Sequence, residues 1–130
     1  MIENLSPTQS WALLQSNPAT VLIDVRTFIE HSFIGHPPKA VHVAWKEFPG
    51  MQLNVGFVDQ VKQHAADNAA PVLLLCRSGV RSVDAAKALE AAGYQHLINI
   101  VGGFEGALDA NKHRGNVDGW RFDGLPWEQS

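Results

Sequence analysis

Two apolar runs, "TVLIDVR" (20–26) and "PVLLLC" (71–76), are β-branched or leucine-rich and lack clean alternation of apolar and polar positions. That pattern predicts strands covered on both faces, as at the centre of a parallel sheet. In "SPTQSWALLQSNP", Ser6 is placed to cap a helix, Pro7 suits its first position, and Asn17-Pro18 ends it. A proline-marked turn in "GHPPKAVHVAW" leads to a short strand around Ala40 to Val43. "FVDQVKQHAADNA" then shows helical spacing at Phe57, Val58, Val61 and Ala65. After "PVLLLC" and a polar turn, "SVDAAKALEAAGY" predicts an amphipathic helix that Gly93 closes, and "HLINIVGG" supplies one more strand.

Strands alternating with helices predict an α/β fold with a parallel sheet and helices on both faces. The tail "LDANKHRGNVDGWRFDGLPWEQS" is richer in glycine and polar residues, but Trp120, Phe122, Leu125 and Trp127 give it the means to pack. The expected organisation is therefore one domain over 1–130, with a core at about 5–108 and a docked C-terminal segment at 109–130. A length of 130 residues and 45% hydrophobic content fit one compact core and are too small for two ordinary ones.

Charge narrows the partners. A net charge of −3, without any lysine or arginine run, gives no electrostatic footprint for nucleic acid or an anionic membrane. The N-terminus has neither a basic start nor an apolar h-region, and no segment reaches ~18 apolar residues. A single cysteine cannot form an internal disulfide, so the expected setting is a reducing, cytoplasmic one.

That cysteine, Cys76, sits where a buried strand gives way to a helix, with Arg77 and Arg81 close by. Ligands in open α/β sheets bind beyond the carboxyl ends of the strands. A turn feeding a helix there can aim several backbone N–H groups at one point, with the partial positive charge of the helix N-terminus behind them. Such a cradle favours a thiolate or another anionic sulfur species, and Gly79 permits the left-handed backbone a tight concave loop needs. A lone cysteine after a leucine run is more often an inert apolar residue. Here strand, cysteine, glycine-bearing turn, arginine and helix follow one another in the order an anion cradle requires.

The stretch "CRSGVRS" resembles the active-site loop of the rhodanese (sulfurtransferase) family. "LIDVRTFIEHSFIGHPPKAVHV" and "INIVGGFEGAL" are similar to two further family stretches, so the likeness runs from about Leu5 to Leu108, and the "GW…GLPW" ending is also found among single-domain members. Two places differ: Gly35-His36-Pro37-Pro38-Lys39-Ala40 stands where the family has Gly-His-Ile-Pro-Gly-Ala, and a longer segment separates the glycine pair from Trp120. The resemblance implies a single rhodanese-like domain with a central, mostly parallel five-stranded sheet. It also implies two-step sulfur transfer: Cys76 takes a sulfane sulfur from a donor such as thiosulfate or a persulfide, then passes it to a thiol, a cyanide-type acceptor or a protein sulfur acceptor. It calls for no metal or organic cofactor.

Related folds carry phosphatases and arsenate reductases, whose cysteine-to-arginine loop is one residue longer. Only Arg77, Ser78, Gly79 and Val80 separate Cys76 from Arg81, a small ring better matched to one sulfur than to a phosphate. A persulfide carrier without turnover is the other alternative. Within the loop, Arg77 is expected to face outward and attract an anionic donor, while Arg81 either holds the loop or touches substrate. Ser78 and Ser82 can donate to the sulfur, and Ser82 better suits a helix cap. Asp24 and Arg26 read as a structural ion pair, and His36 as a hydrogen-bonded structural group rather than a base. Trp45 and Phe48 suit either the pocket mouth or packing. The six histidines show no pair at metal-ligand spacing.

Overall fold

In the computed structural model, which describes all 130 residues, every parallel strand joins one sheet. The strands are β1 (Ile2–Leu5), β2 (Val21–Asp24), β3 (Val41–His42), β6 (Val72–Leu75) and β7 (Leu97–Ile100), in the order β1-β7-β6-β2-β3. A separate antiparallel hairpin pairs β4 (Lys46–Glu47) with β5 (Gln52–Leu53). The helices are α1 (Pro7–Ser16), α2 (Phe57–His64) and α3 (Arg81–Ala91).

The helix starts have local causes. The Ser6 hydroxyl accepts the Gln9 N–H at 3.1 Å and the Gln9 carboxamide accepts the Ser6 N–H at 3.0 Å, a reciprocal cap ahead of Pro7. No side chain caps α3, so Ser82 lies within its first turn and does not serve as the cap expected from the sequence. Its hydroxyl is committed elsewhere, as described below.

The run "VLLLC" divides its side chains between two cores because successive strand residues face opposite ways. Val72, Leu74 and Cys76 pack with Phe57 and Val61 of α2 and with Ala85, Ala86 and Leu89 of α3. Leu73 and Leu75 pack on the other face with Leu14 of α1, Ile98, Ile100, Phe104 and Trp120. Both faces of β6 and β7 are fully covered, which is why neither strand shows alternation in sequence.

Several elements depart from the sequence expectation. Strand β1 was not foreseen: it is an edge strand with Glu3 and Asn4 exposed, so no apolar pattern marks it. The hairpin is equally short and polar, and β3 spans only Val41–His42 within the expected Ala40 to Val43. The "EHSFI" stretch forms a π-helical turn (Glu30–Ile34) closed by Gly35 N–H donating to the Glu30 carbonyl at 3.1 Å. In the tail, Trp120 is buried edge-on to Trp11 and Trp127 meets Phe104 edge-on, but Phe122 stays half exposed instead of packing. No helix is long and apolar enough to cross a membrane.

Candidate active site

The register of β2 on β6 pairs Asp24 with Leu75, so the two strands end level and their following residues emerge side by side at the carboxyl edge of the sheet. There Cys76 forms the floor of a cavity of about 800 Å³, only 1% exposed itself. Arg77, Ser78, Val80 and Arg81 line the same cavity. Gly79 and Ser82 instead reach the sulfur directly: the Gly79 N–H donates to Cys76 Sγ at 3.0 Å and the Ser82 hydroxyl lies 3.4 Å from it.

The loop between strand and helix holds its polar groups apart by direction. Its first two carbonyls are taken from behind: Cys76 C=O accepts the Phe104 N–H at 2.8 Å, and Arg77 C=O accepts those of Glu105 and Gly106 at 2.9 and 3.1 Å. This explains "GGFEG". Gly103 has φ +62°, and a side chain there would collide with the Cys76 carbonyl. The backbone N–H groups of Arg77, Ser78, Val80, Arg81 and Ser82, by contrast, find no acceptor within the chain. Gly79, at φ +100°, supplies the backbone turn that brings its own N–H onto the sulfur.

Arg81 is held in place by a carboxylate that sequence reading did not single out. Its two terminal nitrogens donate to the two oxygens of Glu30, each at 2.8 Å. Burial would raise the Glu30 carboxyl, but the hydrogen bonds and charge of Arg81, helped by Thr27, bring it below its ordinary value. In return the hydrogen bonds to Glu30 raise Arg81 against its own desolvation. Arg81 is therefore a fixed loop-closing charge, while Arg77 is exposed and without an ion-pair partner.

Asn99 is the other residue the sequence did not bring forward. The Ser82 hydroxyl donates to Asn99 Oδ1 at 2.5 Å, and Asn99 Nδ2 donates to Asn4 Oδ1 at 3.1 Å. The same hydroxyl is therefore shared between Asn99 and the sulfur of Cys76, 3.4 Å away. The available signal was a lone polar residue in the otherwise apolar strand "LINI".

Asp24, Arg26 and the histidines make a second, largely buried cluster, in which Arg26 Nη1 is the one buried side-chain nitrogen left without a partner. Arg26 donates to both Asp24 oxygens at 2.9 and 2.8 Å and lies 4.5 Å above the Phe104 ring. His31 Nδ1 lies 2.8 Å from Asp24, His36 stacks on His31 at 3.9 Å, and His36 Nδ1 meets the His31 carbonyl at 2.8 Å. Burial would raise Asp24, but the bonds from His31 and Arg26 bring it down to about 2. None of these groups lines the cavity. Phe48 does line it, whereas Trp45 packs edge-on to Phe57. No group of three or more histidine, cysteine or carboxylate side chains is arranged to hold a metal ion.

Comparison with known proteins supplies an independent line. The family model described as "Rhodanese-like domain" matches residues 6–110. The chain is 30% identical to "Thiosulfate sulfurtransferase GlpE" of Actinobacillus pleuropneumoniae, over 95% of this chain and 91% of that protein. Its structure is similar to the crystal structure of Rv0390 from M. tuberculosis, with TM-score 0.86, 38% identity and 98% of each chain covered. It is also similar to the polysulfide-sulfur transferase homodimer of Wolinella succinogenes, with TM-score 0.69, 26% identity, and 99% and 80% of the two chains covered.

Proposed function

The chain belongs to the rhodanese-like domain family, and from that premise we propose that it is a sulfurtransferase working through a persulfide on Cys76, with thiosulfate or an organic persulfide as donor. The observation that carries this reading is the loop: Cys76 lines an open cavity, its Sγ receives the Gly79 N–H, and five further N–H groups of the same turn have no acceptor in the chain.

The Cys76 thiolate attacks the sulfane sulfur of the donor, forming an S–S bond as the donor's own sulfur bond breaks and its electron pair leaves with the donor remnant. For thiosulfate that remnant is sulfite. The persulfide's outer sulfur then carries the negative charge, and the free N–H groups of the Cys76–Arg81 turn are the donors available to stabilise it. Arg77, exposed at the rim, attracts the anionic donor, and Arg81 on Glu30 keeps the turn closed. An acceptor nucleophile finally attacks the outer sulfur and returns the electron pair to Sγ. Phosphoryl transfer is disfavoured by the short turn, which has only four residues between cysteine and arginine.

Intact mass after incubation with thiosulfate tests the reading. The wild-type chain should gain one sulfur atom, and Cys76→Ser should gain none. Sulfurtransferase activity retained by Cys76→Ser would overturn the proposal.

A further inference from the structure

The cavity is larger than an inorganic donor needs. Thiosulfate, a few water volumes in size at ~30 Å³ each, fills only a small part of about 800 Å³. Organic ligands commonly occupy cavities of ~300–1,000 Å³.

The walls carry a charge imbalance with a clear pattern. Both wall carboxylates are already taken: Glu30 by Arg81, and Glu105 by Arg121 at 3.7 Å. Three wall cations, Lys46, Arg77 and Arg114, take part in no ion pair, although the chain as a whole has a net charge of −3. Arg77 belongs to the cysteine loop. Lys46 and Arg114 do not: one comes from the β4 strand of the hairpin, the other from the segment 109–119 that separates the glycine pair from Trp120.

Arg114 is preorganised. It is half-buried, and Nη1 donates to the Gly106 carbonyl at 2.6 Å, leaving its other nitrogens without a partner in the chain. The segment bearing it is tied down by Gly115 N–H donating to the Glu105 carbonyl at 2.9 Å. The Asp109 carboxylate adds bonds from the N–H groups of Asn111 and His113 and from the Asn116 side chain. The same cavity also has apolar lining, with Ile29, Phe48 and Val80 all more than half exposed.

We propose that the cavity takes a carboxylate-bearing organic thiol as sulfur acceptor, its carboxylate held by Arg114 and Lys46 and its organic body lying on the apolar wall. The proposal rests on the sulfurtransferase reading and names its acceptor class. The acceptor thiolate attacks the outer sulfur of the Cys76 persulfide, a new S–S bond forms on the acceptor, and the electron pair of the broken bond returns to Sγ. The product is an organic persulfide, and no external oxidant or reductant enters.

The test uses two thiols of matched chemistry, N-acetylcysteinylglycine and its C-terminal amide, as acceptors with thiosulfate as donor. Persulfide loading of the wild-type protein by thiosulfate is measured first, and its absence would overturn the underlying reading rather than the acceptor assignment alone. With loading in place, the amide should show a KM up to about fivefold higher than the acid, as the loss of one partly exposed ion pair implies. The ratio should fall to near one in the Lys46→Ala/Arg114→Ala double variant and be largely kept in Arg114→Lys. Because the readout is a ratio, a general loss of activity in a variant does not register as support. Equal KM values in the wild type, or a ratio unchanged in the double variant, would overturn the proposal.

Discussion

Two polar clusters stand at the ends of neighbouring parallel strands, one after β2 and one after β6, and they resolve their polarity in opposite ways. After β2, the Asp24 carboxylate is met by Arg26 and His31, and His36 and His42 each hydrogen-bond a backbone carbonyl. After β6, five backbone N–H groups that follow Cys76 are left without an acceptor in the chain, and four of the residues bearing them, Arg77, Ser78, Val80 and Arg81, line a cavity. The first arrangement is spent on holding itself together. The second keeps its donors for something that arrives from outside. Asp, Arg and His side by side look more catalytic on paper than a run of amides, yet the proposed sulfur chemistry rests on the unspent hydrogen bonds. The two clusters are also joined, since consecutive residues of the π-helical turn serve both: Glu30 binds Arg81 of the loop and His31 binds Asp24.

The contrast predicts a large loss of stability on the closed side. Arg26→Met removes one partner of a fully buried pair and leaves Asp24 charged in the interior, a change that typically costs about 3–5 kcal/mol. Thermal denaturation should show Tm lowered by about 10–20 °C. A Tm within two or three degrees, roughly the shift from 0.5 kcal/mol, would show that the cluster is not the fastening described here.

Acid should act through the same carboxylate. Asp24 is held at about 2 in the folded chain against an ordinary 3.8, so its charged form is favoured by folding. Its contribution is fully present above the ordinary value and is lost as pH falls through that value towards about 2. Acid unfolding followed by circular dichroism should therefore steepen below about pH 4, and Asp24→Asn should flatten that limb while lowering stability at neutral pH. An acid limb of the same shape in both proteins would contradict the assignment.

How far these two clusters could be read from the sequence differs for a physical reason. "VLLLC" and "HLINI" announce buried strands because both faces are covered, and the cysteine turn announces itself because its residues are contiguous. The loop residues Arg77, Ser78, Val80 and Arg81 do share one cavity with Cys76. Glu30 was legible as a member of the family-like stretch before Gly35-His36 but not as the partner of Arg81, which lies 51 positions away. Asn99 was hidden in the same way, since its role comes from Ser82 across α3 and β7. Ser82 itself misled because a serine at a helix start normally caps it, whereas here the cap position falls two residues earlier, at Val80, and the hydroxyl turns to Asn99. Strand β1 was missed because an exposed edge strand needs no apolar code.

A smaller effect is expected on the open side, at Arg77. It is exposed and unpaired, so Arg77→Ala should raise KM for thiosulfate several-fold, on the order of 1 kcal/mol, and affect the maximal rate less. The difference from wild type should shrink as salt rises and screening tightens to a Debye length of ~8 Å. An unchanged KM together with a lowered Tm would instead make Arg77 a structural residue of the loop.

The central claim is that a ring of free N–H groups, sized to one sulfur, makes Cys76 reactive. One glycine inserted after Gly79 widens that ring without touching the Asp24 cluster, and the quantity to measure is the rate at which thiosulfate adds one sulfur to Cys76, followed by intact mass on protein shown to be folded. Loss of a single preorganised donor costs about 100-fold or more in comparable anion sites, so loading should slow by about that factor. Loading within about twofold of wild type, less than the ~1.4 kcal/mol that a tenfold change represents, would show that the geometry of the ring is not what the chemistry depends on.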